Sequence, residues 1–513
     1  MIKFGSYSPS RWKQVSPMMV GLAGILIASL VWQFRLRFPF DDTFISFRYA
    51  EHVASGYGLV WNIGGPHTEG YTNFLFILML AAARFLTPNL LAAAQVIGLV
   101  STIVTGFLIY GIASKARDSA VGMLAAAFYL LAPLTWINAL SGMETSLFVM
   151  WTVLAIFFAI RNQLFAAFGA VFFIALTRPE GALLGLIIVA VGFSPRFGTE
   201  HRTLKGTATK AAIAFMLTLA MYAIWKWWYF GGLLPNSFYV KVLAGSHSPL
   251  PGLQYVRLFF ESALALVLLS CGIRGWRDKL VAIAVLWSIA LLIFYLFVLP
   301  LEGLYDRFLW PVFAMLCITG AIGTRDVVTR LHLSSFGIPA AIVLTAQIAL
   351  LLAAPRTRQA LAAHEEVWDA SMDPIVRELK LLPHFDSLRL AYGDAGYVVY
   401  HSGIRHIDIF GLNDTRLARA RSLDEKSAIL RSEHPDIMLL PIYVRDSGTE
   451  WVEDAYGLAR EPSFEAVATT EAFPYTLAWV LNTNSPYYQD CKTELIRTRT
   501  DSSGYFRSPP STR

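Results

Sequence analysis

Charge is scarce in this sequence. Of 513 residues, only 15% are Asp, Glu, Lys or Arg, where a soluble protein carries about 25%. That shortage excludes a soluble one- or two-domain enzyme. Cysteine is nearly absent: Cys271, Cys317 and Cys491 are far apart, and no CxxC pair exists. A disulfide-rich scaffold and a cysteine metal site are excluded with it, and the three read as isolated packing residues. There is no Walker-type loop and no strong GxGxxG, so nothing points to a nucleotide-binding fold. What is abundant is apolar: hydrophobic residues make up 55%. That rules out disorder and leaves a polytopic α-helical membrane protein with a soluble part attached.

The apolar residues are concentrated before Pro355. Residues 17 to about 354 hold runs near the length of about 20 residues that a helix needs to cross a bilayer. After Pro355 charges are spread throughout and no spanning run remains. The expected domains are therefore 1–355 in the membrane and 356–513 outside it. Eleven spans are expected, at 17–35, 91–113, 119–139, 145–160, 163–176, 181–193, 211–229, 255–272, 280–299, 309–323 and 335–354. The first follows Lys3, Arg11 and Lys13 and has no clean small-residue cleavage site after it, so it reads as an uncleaved span. One more apolar run, 71–86, is read as lying in the membrane interface. Counting it as a span would place Lys115 and Arg117 outside and invert every later loop.

Lys and Arg in short loops favour the cytoplasmic side. With 71–86 set aside, the basic loops fall on one side: the N-terminus, Lys115/Arg117, Arg161, Arg196/Arg202/Lys205/Lys210, Arg274/Arg277/Lys279 and Arg325/Arg330. The chain is then expected in the inner (plasma) membrane, N-terminus cytoplasmic, C-terminal domain extracytoplasmic. The net charge of +6 is mostly this bias, so it does not indicate nucleic acid as a partner; the lipid bilayer is one.

The opposite loops hold different residues. The first reads PFDDTFISFRYAEHVASGYGLVWNIGGPHTEGYTNF. Pro39 starts a helix well, and Asp41 and Asp42 fall in its first turn, where the dipole favours carboxylates. Arg48, seven residues on, shares a face with Asp41. Phe40, Phe44 and Phe47 form an apolar stripe expected to rest on the membrane. Gly64-Gly65-Pro66 reads as a turn before Glu69, Tyr71 and Asn73. By themselves the two aspartates could be a solvated cap. At the mouth of a membrane bundle they can also act as a general base or hold a divalent cation. Further patches are Glu144 in SGMET, Arg178 and Glu180 in TRPEG, Asn236, Tyr239 and Lys241 in LPNSFYVK, and Arg307 in YDRF. Each alone could be a headgroup anchor or a cap. Together they suit a charged lipid ligand and a polar acceptor, since interfacial cations hold phosphate.

The string DDTFISFRYAEHVASGYGLVWN…EGYTNF resembles the first external loop of GT-C membrane glycosyltransferases, and among them the mycobacterial terminal arabinofuranosyltransferases. SGMETSLF, LTRPEG, LLPNSFYVK and GDAGYVVYHSG…IDIFGLND also resemble that group, in order along the chain. The resemblance implies a GT-C fold with interfacial helices. It implies an enzyme that takes a sugar from a polyprenyl-phosphate donor and passes it, with inversion, to an acceptor hydroxyl on a cell-envelope glycan or glycolipid. Carried over, Asp41 is the base, with Asp42 as partner or as the actual base. Arg178, Lys241 or Arg307 would stabilise the departing phosphate. Glu69, Tyr71 and Asn73 would bind sugar hydroxyls, and Glu144 would orient a substrate. No cofactor is required, except that a divalent cation on Asp41 and Asp42 stays open, since some such enzymes use one. The YDRF segment departs from the group's usual pattern, and motif strings do not specify the sugar.

Residues 356–513 alternate between strand and helix. Leu388–Tyr392, His406–Phe410 and Asp436–Leu440 read as strands; 395–400 and 423–433 read as helices. That is a βαβ-like pattern and predicts a small α/β domain. Asp394 follows the first strand, where ligands bind in open α/β sheets, or it is a turn residue. His401 and His406 have no partners at metal spacing. The final ten residues read as a disordered end. The competing reading is a transporter or flippase of a lipid-linked sugar. It is disfavoured because the charges cluster at span ends and no inverted repeat is evident.

Overall fold

The computed structural model describes residues 39–194, 202–243, 250–275, 278–298, 306–362, 366–445, 448–452, 454–472 and 475–500. The expected first span and the final ten residues lie outside them. Among the described residues the chain forms two compact units. One draws on 94–219 and 248–362, the other on 39–93, 220–247 and 363–513.

The first unit is helical. Five described helices of the chain are long and apolar enough to cross a membrane: Leu90–Ala116, Gly206–Phe230, Leu250–Ser270, Lys279–Phe297 and Trp310–Arg330. Ser119–Leu130 and Pro133–Leu140 form a sixth, bent by 57°. Pro133 is the cause: it lacks the N–H that would continue the ladder. The other expected spans fold as shorter apolar helices, Thr145–Ile160, Leu164–Thr177, Ala182–Phe193 and Gly337–Ala353. The span expected at 309–323 folds within Trp310–Arg330.

Two polar ends bracket this unit. At one, Arg117 grips Asp326 bidentately at 2.9 and 2.8 Å, and the Arg274 amide donates to the same carboxylate at 2.8 Å. Arg325 pairs with Asp118, and Lys279 donates to Ala159 O and Asn162 Oδ1. These are four of the six loops whose basic residues are expected on one side. The loops carrying Glu144, Arg178, Glu180 and Asp306 gather at other helix ends of the same unit.

The second unit opens with the first-loop helix, Asp41–Ala54, which starts directly after Pro39-Phe40 and ends before Gly56 (φ +83°). Its Phe stripe does not rest on the membrane. Phe40, Phe44 and Phe47 are buried at 3%, 4% and 1% exposure. Phe44 packs on Tyr397 (5.2 Å), His401 (5.1 Å) and Tyr400 (5.5 Å). The expectation misassigned the stripe because an aromatic stripe looks the same in sequence whether lipid or protein covers it. Each ring so buried contributes about 1.5–3 kcal/mol. The 71–86 run folds as Phe74–Arg84. Eleven residues at about 1.5 Å each cannot cross a bilayer, which agrees with leaving it out of the span count.

The rest of this unit is built on a sheet of six strands: β1 Arg389–Tyr392, β2 Arg405–Asp408, β3 Ile437–Arg445, β4 Gly448–Trp451, β5 Phe464–Ala472 and β6 Tyr475–Asn482. The order is β2-β1-β3-β6-β5, with β4 on β3. β1 is parallel to β2 and β3, as the βαβ pattern predicts, and the others pair antiparallel. The expected helices appear at Tyr397–Ser402 and Leu423–Ser432. The β5–β6 hairpin was not anticipated. The core includes Ile407, Leu417, Met438, Leu440 and Val480.

Candidate active site

β1 sits where the sheet changes direction, with β2 on one side and β3 on the other. In open α/β sheets ligands bind beyond the carboxyl end of such strands. The segment leaving β1 is Gly393-Asp-Ala-Gly396, and the first-loop helix presents Asp41 to it. Asp41 Oδ1 accepts the Tyr397 N–H at 2.8 Å, so the carboxylate sits at the start of the 397–402 helix. A β-carbon on Gly396 would overlap the Asp41 carboxylate. Only glycine permits that approach.

Asp394 joins this end. Its Oδ2 accepts the Tyr392 hydroxyl at 3.1 Å. Burial raises the pKa of Asp394 above the usual carboxylate range, and the negative charge of Asp42 adds to the rise. The structure therefore brings Asp41, Asp42 and Asp394 to one end of the second unit. Among the described residues no group of three His, Cys, Asp or Glu is arranged to hold a metal ion. Asp41 is engaged with a backbone amide instead.

Arg48 lies on the same face as Asp41, as its spacing predicts. Its guanidinium is absorbed by the fold: Nε donates to Trp61 O, Nη1 to Val399 O, and Nη2 to Ile404 O and Asn62 Oδ1. It joins the first loop to the 397–404 segment.

A second polar cluster lies in the same unit. Glu69 is buried and pairs with Lys226 Nζ at 2.8 Å. Burial pushes its pKa up to about 7, against the opposing pull of Lys226. Its carbonyl accepts the Asn236 N–H at 2.9 Å. Gly70 has no room for a β-carbon against Asn413. Tyr71 packs edge-on against Tyr49 at 4.8 Å, and Asn73 donates to Ser46 Oγ at 3.0 Å. Three buried groups here, Tyr71 OH, Asn236 Nδ2 and Ser237 Oγ, have no hydrogen-bond partner among the described atoms. Buried polar groups are rarely left so. Tyr239 lies under the Arg419 guanidinium at 4.9 Å, and Lys241 falls on the Asn236–Leu243 helix. Sequence reasoning missed Lys226. Its signal was present, since a lysine inside the apolar run AIWKWWYF needs a partner.

The remaining predicted residues belong to the first unit. Arg178 donates to Glu180 Oε1 at 2.6 Å, to Glu144 Oε1 at 2.9 Å and to Tyr295 OH at 3.0 Å. Tyr295 OH donates to Glu180 as well. The Arg178 guanidinium lies over Phe308 at 4.4 Å, and Arg307 over the same ring at 4.8 Å. Asp306 pairs with Arg356, a residue the sequence reading did not single out. Glu144 stands at the start of Thr145–Ile160, as expected.

Residues 378–489 match a family model described as "Domain of unknown function (DUF8728)". No curated protein matches the chain in sequence. Solved structures do match its fold. ArnT from Cupriavidus metallidurans bound to undecaprenyl phosphate has a TM-score of 0.59 at 13% identity, over 92% of this chain and 98% of that one. The archaeal oligosaccharyltransferase AglB from Archaeoglobus fulgidus, in complex with an inhibitory peptide and a dolichol-phosphate, has 0.56 at 12% identity, over 96% of this chain and 79% of that one. The Archaeoglobus fulgidus oligosaccharyltransferase in complex with Zn and sulfate has 0.52 at 12% identity, over 88% of this chain and 79% of that one. At these identities the likeness speaks for the fold, and this chain is a polytopic membrane protein with the GT-C fold that its first-loop string implies.

Proposed function

We propose that the chain transfers a sugar from a polyprenyl-phosphate donor to a hydroxyl of a cell-envelope glycan or glycolipid, with inversion, at the outer face of the membrane. The observation that carries this is the Asp41-Asp42 pair standing at the switch point of the sheet, in a chain whose fold is that of ArnT over 92% of its length.

In this reading an Asp41 carboxylate oxygen takes the proton of the acceptor hydroxyl. The hydroxyl oxygen forms a bond to the anomeric carbon, and the bond from that carbon to the phosphate oxygen breaks. The electron pair leaves on polyprenyl phosphate, and one displacement inverts the centre. The Tyr397 N–H holds Asp41 in one orientation, as proton transfer requires. The departing phosphate needs a fixed cation. Arg178, Lys241 and Arg307 are the candidates for it. The three buried unpartnered groups near Glu69 support sugar-hydroxyl binding by Tyr71 and Asn236. Arg48 serves by joining the first loop to 397–404.

The test is to incubate the purified protein with a panel of polyprenyl-phosphate sugars and an acceptor glycan, and to follow polyprenyl phosphate release. Release that depends on acceptor supports transfer. Movement of the intact lipid-linked sugar across a vesicle without release would refute it and support a flippase.

A further inference from the structure

The second unit contains a cavity of about 550 Å³, walled by residues 61–68, Phe230 and the segments around β2 and Thr415. Its volume falls in the range of about 300–1,000 Å³ typical of small-molecule sites.

The floor is built from a closed hydrogen-bond network. Asp408 accepts from the amides of Gly411 (3.1 Å) and Asn413 (2.9 Å) and from Asn413 Nδ2 (2.8 Å). Asn413 Oδ1 accepts the Tyr49 hydroxyl at 3.0 Å. Asn62 brackets His406, donating to its carbonyl at 2.8 Å and accepting its N–H at 3.1 Å. His406 is held neutral: burial lowers its pKa to about 3. Trp61 Nε1 donates to Nδ1, so Nε2 carries the proton toward Tyr392 O. Such a floor is pre-formed, which lowers the cost of binding.

The rim carries both donors and acceptors. Arg416 bridges Asp414 (2.7 Å) and Glu433 (2.5 Å), Arg405 is exposed, and His67 stacks on Tyr229 at 4.0 Å. Two guanidinium groups face three carboxylates, so an anion finds no surplus of positive charge. The carboxylates are already hydrogen-bonded or paired, so a cation finds none to take. Donors and acceptors together, beside the Trp61 and His67 rings, suit a ligand carrying many neutral hydroxyls.

We propose that this cavity is a glycan subsite that holds a neutral sugar unit of the acceptor, apart from the hydroxyl that reacts. The word acceptor rests on the transfer reading above; the binding does not. Eight helical residues separate Asp41 from Tyr49, about 12 Å of rise, so a glycan seated here would reach the Asp41 end only through further sugar units.

The test uses the full-length protein in detergent. Neutral tetrasaccharides of pentofuranose and of hexopyranose units are titrated in, with a uronic-acid tetrasaccharide and inorganic phosphate as anion controls. A neutral tetrasaccharide should bind saturably and more tightly than either anion. Thr415→Trp, which fills the cavity, and Arg405→Ala, at an exposed position, should each weaken it at least 10-fold with polyprenyl phosphate binding unchanged. Tighter binding of the anions, no saturable neutral binding, or wild-type binding by both variants would overturn the subsite. Cavity-dependent glycan binding without any sugar transfer would refute the transfer reading and leave the subsite standing.

Discussion

The Asp41 carboxylate accepts the backbone N–H of Tyr397 at 2.8 Å, across 356 residues of sequence. The first loop and the C-terminal sheet are thus one structure at this point.

That contact separates two roles of Asp41. Asn keeps an oxygen for the Tyr397 amide but cannot take a proton. Asp41→Asn is expected to lower polyprenyl phosphate release by about 100-fold or more, with the thermal midpoint within a few degrees of wild type. Asp41→Ala removes the cap too and should cost about 0.5–2 kcal/mol of stability. Turnover of Asp41→Asn at the wild-type rate would remove Asp41 from the role of base and move it to Asp42.

Gly396 tests position instead of chemistry. A β-carbon there overlaps the Asp41 carboxylate, so Gly396→Ala must displace it. A shift near 1 Å is worth about 100-fold in rate. The expected outcome is a fall in kcat with donor KM little changed. If KM alone rises, Gly396 shapes a binding surface and does not position Asp41.

Glu69 predicts a pH dependence of stability. Burial raises its folded pKa to about 7, above an unfolded value of about 4.3. The folded state therefore binds more protons than the unfolded state between these values. Its contribution is fully present below about pH 4.3 and is lost as pH rises through about 7. Unfolding midpoints of wild type and Glu69→Gln, compared across this window, should show the wild type losing ground as pH rises. Parallel profiles would contradict the raised value.

Arg178 holds two buried glutamates at 2.9 and 2.6 Å. Removing one partner of such a network strands the others. Arg178→Met is expected to cost about 3–5 kcal/mol, read as a large drop in thermal midpoint or in folded yield. Replacing Glu144 by Gln as well should recover part of the loss. A single variant as stable as wild type would mean the cluster is solvated.

Much of the local structure was legible because period and length carry it. The apolar runs, the Pro39–Gly56 limits of the first-loop helix and the β1–helix–β2 pattern follow from short-range rules. The loops whose charge signs matched also turned out to meet, as Arg117, Asp326 and Arg274 do. The Phe40-Phe44-Phe47 stripe was misread, since hydrophobicity does not say whether lipid or Tyr397 covers a ring. Lys226 was overlooked because its partner, Glu69, lies 157 residues away.

By itself the sequence determined that this chain is a membrane protein, which loops belong together, and which carboxylates stand at a helix start. Those are consequences of composition, spacing and turn chemistry, and they act over a few residues. Only the tertiary structure decided that Asp41 docks on Gly396 and Tyr397, that Arg48 is a strut, and that residues 61–68 and the β2 region enclose a cavity. These depend on pairings hundreds of residues apart, which packing and hydrogen-bond satisfaction select and no local pattern encodes.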